Sequence, residues 1–153
     1  MSDDLARLEN WAGPLLAQLQ PAARTRVARR VGMALRRAQQ RRIAAQQDPD
    51  GTPYAPRRTP PAAPRRTGRI KRRAMFAKLR QARHLRVSAN AAEVAVGFTG
   101  RVARIARVHQ EGLTDTVTRG GKRVTYAKRR LLGFSAADID LIERELLEHL
   151  AGR

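Results

Sequence analysis

Residues 85–113 read LRVSANAAEVAVGFTGRVARIARVHQEGL, and the hydrophobic period changes inside this stretch. Leu85, Val87 and Ala89 alternate with polar residues. Val94, Val96 and Phe98 do so again after Asn90-Ala91-Ala92. A period of two on both sides of a short turn predicts an antiparallel β-hairpin. Gly97 and Gly100 close its second strand. From 101 to 110 the period becomes helical. Val102, Ile105, Ala106 and His109 share one face, opposite Arg101, Arg104 and Arg107. Gly112 stands where a helix takes its C-terminal cap.

Upstream of the hairpin, residues 69–83 (RIKRRAMFAKLRQAR) read as a basic helical segment with Ile70, Ala74, Phe76, Leu79 and Ala82 on an irregular apolar side. Before it lies DPDGTPYAPRRTPPAAPRRTG, residues 48–68, with six prolines, two glycines and four arginines. That composition predicts an arm or loop and no regular element. Its Asp48-Pro49-Asp50-Gly51 is a turn, since proline fixes φ and glycine accepts φ > 0. Residues 21–47 predict the longest helix. Pro21 suits its first turn, and Val27, Val31, Ala34, Leu35, Ala38 and Ala45 form its core stripe. Arg26, Arg29, Arg30, Arg36 and Arg37 fall off that stripe, where a solvated basic face is the plain reading. Residues 3–19 predict a first helix, capped by Ser2 and interrupted at Gly13-Pro14.

Downstream, residues 113–121 read as a loop ending in Gly120-Gly121, and Val124 and Tyr126 as a short strand. Leu131-Leu132-Gly133-Phe134 is an apolar cluster at a turn. Ser135 with Asp138 makes an S-x-x-D capping box for a last helix. Ile139, Ile142, Leu146 and Leu150 follow at helical spacing, widened by Leu141 and Leu147. The fold class is α+β: N-terminal helices, a Pro-rich extended arm, a small antiparallel β-sheet and a C-terminal helix. The chain divides into 1–47, 48–68 and 69–153, within one domain.

Charge narrows the function classes. The 153 residues carry 32 Lys and Arg against 13 Asp and Glu, a net +19. Between 24 and 83, nineteen cations face only Asp48 and Asp50, while carboxylates gather at both ends. The partner is therefore a polyanion, an acidic protein surface, or the chain's own acidic termini. Clustered arginine is a nucleic-acid footprint, although the 4% aromatic content argues against a single-strand stacking platform. With no cysteine there is no disulfide and no thiolate chemistry. No run approaches 18 apolar residues, so no membrane span is expected, and no signal peptide is evident.

Motifs for catalysis are missing. His84, His109 and His149 stand in three different elements, with no H-x-x-x-H or H-E-x-x-H spacing for zinc. No serine sits in a G-x-S-x-G elbow. Gly120-Gly121-Lys122 lacks the rest of a phosphate loop. Asp48 and Asp50 start like a calcium loop, but Pro53 follows Thr52 and no Glu stands at the twelfth position. His109 is the best single candidate for a special role, and its plain reading is a helix-end cap. No enzyme, cofactor or metal is expected.

Four segments resemble a known family: RIAAQQDPDGTPYAPR (42–57), GRIKRRAMFAKLRQARHL (68–85), VAVGFTGRVARIARVHQEGL (94–113) and RRLLGFSAADIDLIERELLEHL (129–150). In order, they are similar to the phage virion morphogenesis family, the tail completion proteins S of temperate myophages, related to the G protein of Mu-like phages. The resemblance implies a non-enzymatic component of the head–tail neck that completes the tail. It also implies a ring of this chain, a hexamer by the symmetry of the tail tube. Neighbours would be tail tube or terminator proteins and head–tail connector proteins, with genomic DNA in the lumen. The location implied is the virion tail or neck, and the host cytoplasm during assembly, with no membrane.

The motif positions give the assembly-interface candidates Asp48, Asp50, Gly51, Tyr54, Pro56, Arg57, Arg101, Arg104 and His109. Candidates for facing DNA or an acidic partner are Arg29, Arg30, Arg36, Arg37, Arg65, Arg66, Lys71, Arg72 and Arg73. Positive subunits in a ring repel, so the acidic C-terminal helix is expected against a neighbour's basic segment, with the 48–68 arm as a clasp. The alternative is a basic nucleic-acid-binding protein that uses the Arg-rich middle on phosphates.

Overall fold

A computed structural model of the protein describes residues 2–57, 74–116 and 120–152. Helix α1 spans Ser2–Ala17 and α2 spans Pro21–Ala44. Strands β1 (Leu85–Ala89) and β2 (Val94–Phe98) form the hairpin, and α3 (Arg101–Glu111) follows. Strands β3 (Thr114–Thr116) and β4 (Arg123–Thr125) form a second small hairpin, and α4 (Ala136–Leu150) closes the chain. The result is an α+β fold with two separate two-stranded antiparallel sheets.

The first core lies between three helices. Leu8 and Ala12 of α1, Val27, Val31 and Leu35 of α2, and Ile139, Ile142 and Leu146 of α4 are all buried together. Burying an aliphatic side chain of this size stabilises by about 1.5–3 kcal/mol, so this cluster carries much of the fold. Pro14 does not interrupt α1, which runs through it. Leu8 and Ala12 before the proline are buried and Leu16 after it packs on the same core, so tertiary contact holds both halves. The α4 terminus is as expected: Ser135 and Asp138 form a complete capping box.

The β1–β2 hairpin pairs Leu85 with Phe98 and Ala89 with Val94, as the alternation predicts. It lies on α2 at Gly32. A Cβ there would come within 2.4 Å of Val87 Cγ1 and 2.7 Å of Val94 Cγ2, so only glycine lets the hairpin seat this closely. Gly112 caps α3 in the left-handed conformation.

Several expectations fail locally. Helix α2 stops at Ala44, because Gln46 turns left-handed at φ 60°. Residues 74–83 are turns and no helix, and Phe76 also takes φ 64°. Residues 114–116, read as loop, pair with β4, Thr114 opposite Thr125. Ile105 faces outward at 47% exposure, and Val108 is buried in its place. The first half of the expected arm, 48–57, is packed against the body. The rest of it, with Arg65 and Arg66, lies outside the described residues, as do Lys71, Arg72 and Arg73 of the following segment.

Candidate assembly site

Most of the interface candidates converge on one place, at the far end of α2 from its Pro21 start. The chain leaves α2 through Gln46 and folds a tight turn. The Asp48 amide donates to the Thr52 carbonyl at 2.8 Å, and the Tyr54 amide donates to the Gln46 carbonyl at 2.7 Å. Asp50 accepts from the Thr52 amide at 2.9 Å, which with other hydrogen bonds at Thr52 and the nearby Arg130 charge holds its carboxyl below the usual carboxylate range. Pro49 is pressed against Gly133, where a Cβ would sit 2.7 Å from the ring.

The Asp48 carboxylate reaches across to the segment before α4. It accepts the Arg130 backbone N–H at 2.8 Å and lies 3.5 Å from the Arg130 guanidinium. Arg130 also pairs with Asp50. Beside it Arg129 is only 5% exposed, although it is a cation. Its guanidinium donates to the Ala55 carbonyl at 2.7 Å and the Pro56 carbonyl at 2.8 Å. It also donates to His109 Nδ1 at 3.2 Å. Arginine only donates, so Nδ1 is the acceptor and the imidazole proton sits on Nε2. Burial, with the Arg129 and Arg57 charges, holds the His109 pKa below the ordinary histidine value.

Four rings from four segments stack edge to face: Tyr54 on Phe76 at 5.7 Å, Phe76 on His109 at 4.8 Å, and His109 on Tyr126 at 4.9 Å. Beneath them Ile43, Tyr54, Ala106 and Leu131 are buried as a second core. Burial raises the Tyr54 pKa to about 12, and its hydroxyl has no partner among the described residues. Two glutamines add backbone-like pairing. Gln46 accepts the Met75 amide at 2.7 Å and donates to the Met75 carbonyl at 3.0 Å. Gln110 does the same to Leu132, at 3.0 and 2.8 Å.

The motif residues therefore divide. Asp48, Tyr54 and His109 point inward and tie α2, the 74–80 turns, α3 and the segment before α4 into one body. Gly51, Pro56, Arg57, Arg101 and Arg104 lie at the surface, with Arg104 paired to Asp115. His109, with Nδ1 accepting from Arg129 and its ring edge to face with Phe76 and Tyr126, links these segments by packing. Arg129, Arg130 and Gln46 are not singled out in the sequence, and Phe76 reads there only as part of a helical apolar side. The one available signal was an Arg-Arg pair running directly into Leu131-Leu132.

The basic helix divides as well. Arg30 pairs with Glu145 and Glu148 of α4, and Arg42 pairs with the buried Asp138 at 2.7 Å. Part of the acidic terminus is thus neutralised inside the chain. Arg29 and Arg37 stand on the outward side with Arg26, while Arg36 is half-buried, with its Nε unpartnered among the described residues. At the opposite end of the molecule an apolar cavity of about 510 Å³ opens between α1, α2, α4 and the 90–94 turn, lined by Leu5, Leu8, Val27, Val31, Ile142 and Leu146. No group of three His, Asp or Glu among the described residues could hold a metal. No helix there is long and apolar enough to cross a membrane.

Residues 3–151 match the phage virion morphogenesis family. The chain belongs to that family. It is 40% identical over 149 residues to tail completion protein S of Escherichia phage P2, covering 97% of this chain and 98% of that one. No solved structure matches. In this family member both cores and the clasp between them fall inside the matched range.

Proposed function

We propose that the chain completes the phage tail and prepares it for joining to the DNA-filled head. The observation that carries this reading is the 40% identity to a tail completion protein, spread over nearly the whole of both chains. The role is structural: the chain works by binding its neighbours and not by catalysis. It acts as a ring, read as a hexamer to match a sixfold tail tube. Tail tube or terminator proteins lie on one side and head–tail connector proteins on the other. Assembly takes place in the host cytoplasm, and the protein stays in the virion neck.

Electron microscopy of an induced lysate lacking this gene tests the role. Filled heads beside unjoined tails are expected. Normal joined particles would overturn it.

A second reading has its own observation. Arg26 and Arg29 make no hydrogen bond or ion pair among the described residues, so phosphates could take them. A nucleic-acid site making several phosphate contacts loses orders of magnitude in affinity between about 50 and 200 mM salt. A sequence or structure preference for duplex DNA that persists while affinity falls with that steep slope would favour this reading over tail completion.

A further inference from the structure

We infer that neighbouring copies meet head to tail, the outward face of α4 in one copy against the outward face of α2 in the next. This rests on the ring reading above and deepens it to a named contact.

The charge of the chain is split by element. Helices α1 and α4 hold eight carboxylates and two arginines between them, a net −6, which leaves +25 on the remainder to make the total of +19. Part of that opposition is used internally, by Arg30 and Arg42 on α4. What remains lies on outward faces. On α4, Asp140, Glu143, Leu147 and Leu150 fall within an arc of about 80°, opposite the buried Ile142 and Asp138. Leu147 is 54% exposed and Leu150 38%. Asp140 and Glu143 make no hydrogen bond or ion pair among the described residues. Trp11 of α1, 38% exposed, sits next to Leu150 across a small cleft and extends the apolar patch.

The outward face of α2 is the complement. Arg26, Arg29, Met33 and Arg37 also fall within about 80°, and Met33 is 38% exposed at their centre. Each face is therefore an apolar centre with one charge predominating beside it, positive on α2 and negative on α4, where exposed Arg144 flanks the arc about 40° beyond Asp140. The lengths agree as well: about 17 Å from Arg26 to Arg37, and about 15 Å from Asp140 to Leu150.

Geometry makes the contact heterologous. Within one copy α2 and α4 pack on each other through Val31, Leu35, Ile142 and Leu146. Their outward faces thus turn away from one another, and one copy can use both at once. A contact between two different patches propagates, and it closes into a ring when the rotation per subunit allows. An isologous pairing of either face with itself would set like charges together, which is strongly unfavourable.

The test uses two charge-reversed full chains. In one, Arg29→Glu and Arg37→Glu make both faces acidic. In the other, Asp140→Lys and Glu143→Lys make both faces basic. All four positions are solvent-facing, so circular dichroism should show unchanged folds. Sedimentation velocity then reads assembly. Wild type is expected to form an oligomer, and each variant alone to assemble on the order of 100-fold more weakly. An equal mixture of the two variants should recover assembly, because alternating copies restore opposite charges at every contact.

Wild-type oligomers that both variants form equally well would overturn the α2–α4 contact and leave the ring reading standing. A wild-type chain that stays monomeric at every concentration would overturn both. Loss of duplex DNA binding by Arg29→Glu/Arg37→Glu, with its oligomer intact, would give the α2 face to nucleic acid and overturn the contact.

Discussion

Replacing Arg129 by methionine should destabilise the fold by about 1–3 kcal/mol. The stem of the side chain is kept in volume, but its donors are lost. The Ala55 and Pro56 carbonyls then lose their donors at 2.7 and 2.8 Å. Leaving a buried acceptor unsatisfied costs about 1–3 kcal/mol. Ala55 is half-buried and carries most of that cost, whereas Pro56 is exposed and water replaces its lost bond. Methionine offsets part of the loss, since no cation is then desolvated. The contact with His109 Nδ1 disappears too, which frees the Tyr54–Phe76–His109 stack to shift. For a chain of this size each kcal/mol moves the melting temperature by about 3 °C, so a fall of roughly 3–9 °C is expected. Thermal melts followed at 222 nm measure it. Arg129→Lys, which places one ammonium near two carbonyls, should fall between. An Arg129→Met chain that melts within about 2 °C of wild type would refute the assignment of this arginine as the tie between the clasp and α3.

Three further outcomes are expected. The folded pKa of His109 is depressed below the unfolded value of about 6.5. As pH falls through the window between the two, the unfolded chain takes up a proton first, so stability falls; His109→Asn should flatten that acid limb in melts between pH 4 and 8. Tyr54→Phe removes a hydroxyl with no partner among the described residues, so stability at pH 7 should stay within about 1 kcal/mol or rise. The same variant should abolish the stability lost between about pH 10 and about 12, where only the unfolded tyrosine ionises. Gln110→Glu keeps the acceptor for the Leu132 amide but turns the donor to its carbonyl into a second acceptor. A cost of about 1–3 kcal/mol at pH 7 is expected, partly recovered near pH 4 when the new carboxyl protonates; denaturant titrations at the two pH values check it.

The elements with strong local signals were readable from the chain. The hairpin at 85–98, α3 with its Gly112 cap, and the Ser135–Asp138 capping box each depend on residues within a few positions of one another. Local chemistry also marked the Asp48-Pro49-Asp50-Gly51 turn, but not its destination. The same prolines that exclude helix and strand are compatible with a free arm or a packed clasp. What decides is Asp48 meeting Arg130, 82 positions away. The buried Arg129 was hidden for a related reason: its partners are carbonyl groups, which exist at every residue and leave no mark in the sequence. The 74–83 segment misled because its basic-apolar pattern resembles a helix. There Phe76 instead adopts a left-handed turn to reach Tyr54 and His109. Family resemblance singled out these positions but could not say which of them face inward. Asp48, Tyr54 and His109 make their contacts within the subunit.

The most direct test of the tail-completion role is complementation in extract. A lysate lacking this gene, holding filled heads and separate tails, is mixed with the purified chain and assayed for infectious particles. The account predicts that titre rises by orders of magnitude with the wild-type chain and that joined particles appear in the microscope. Heads and tails that stay apart, in an extract that joins once an unmutated lysate is added, would contradict it.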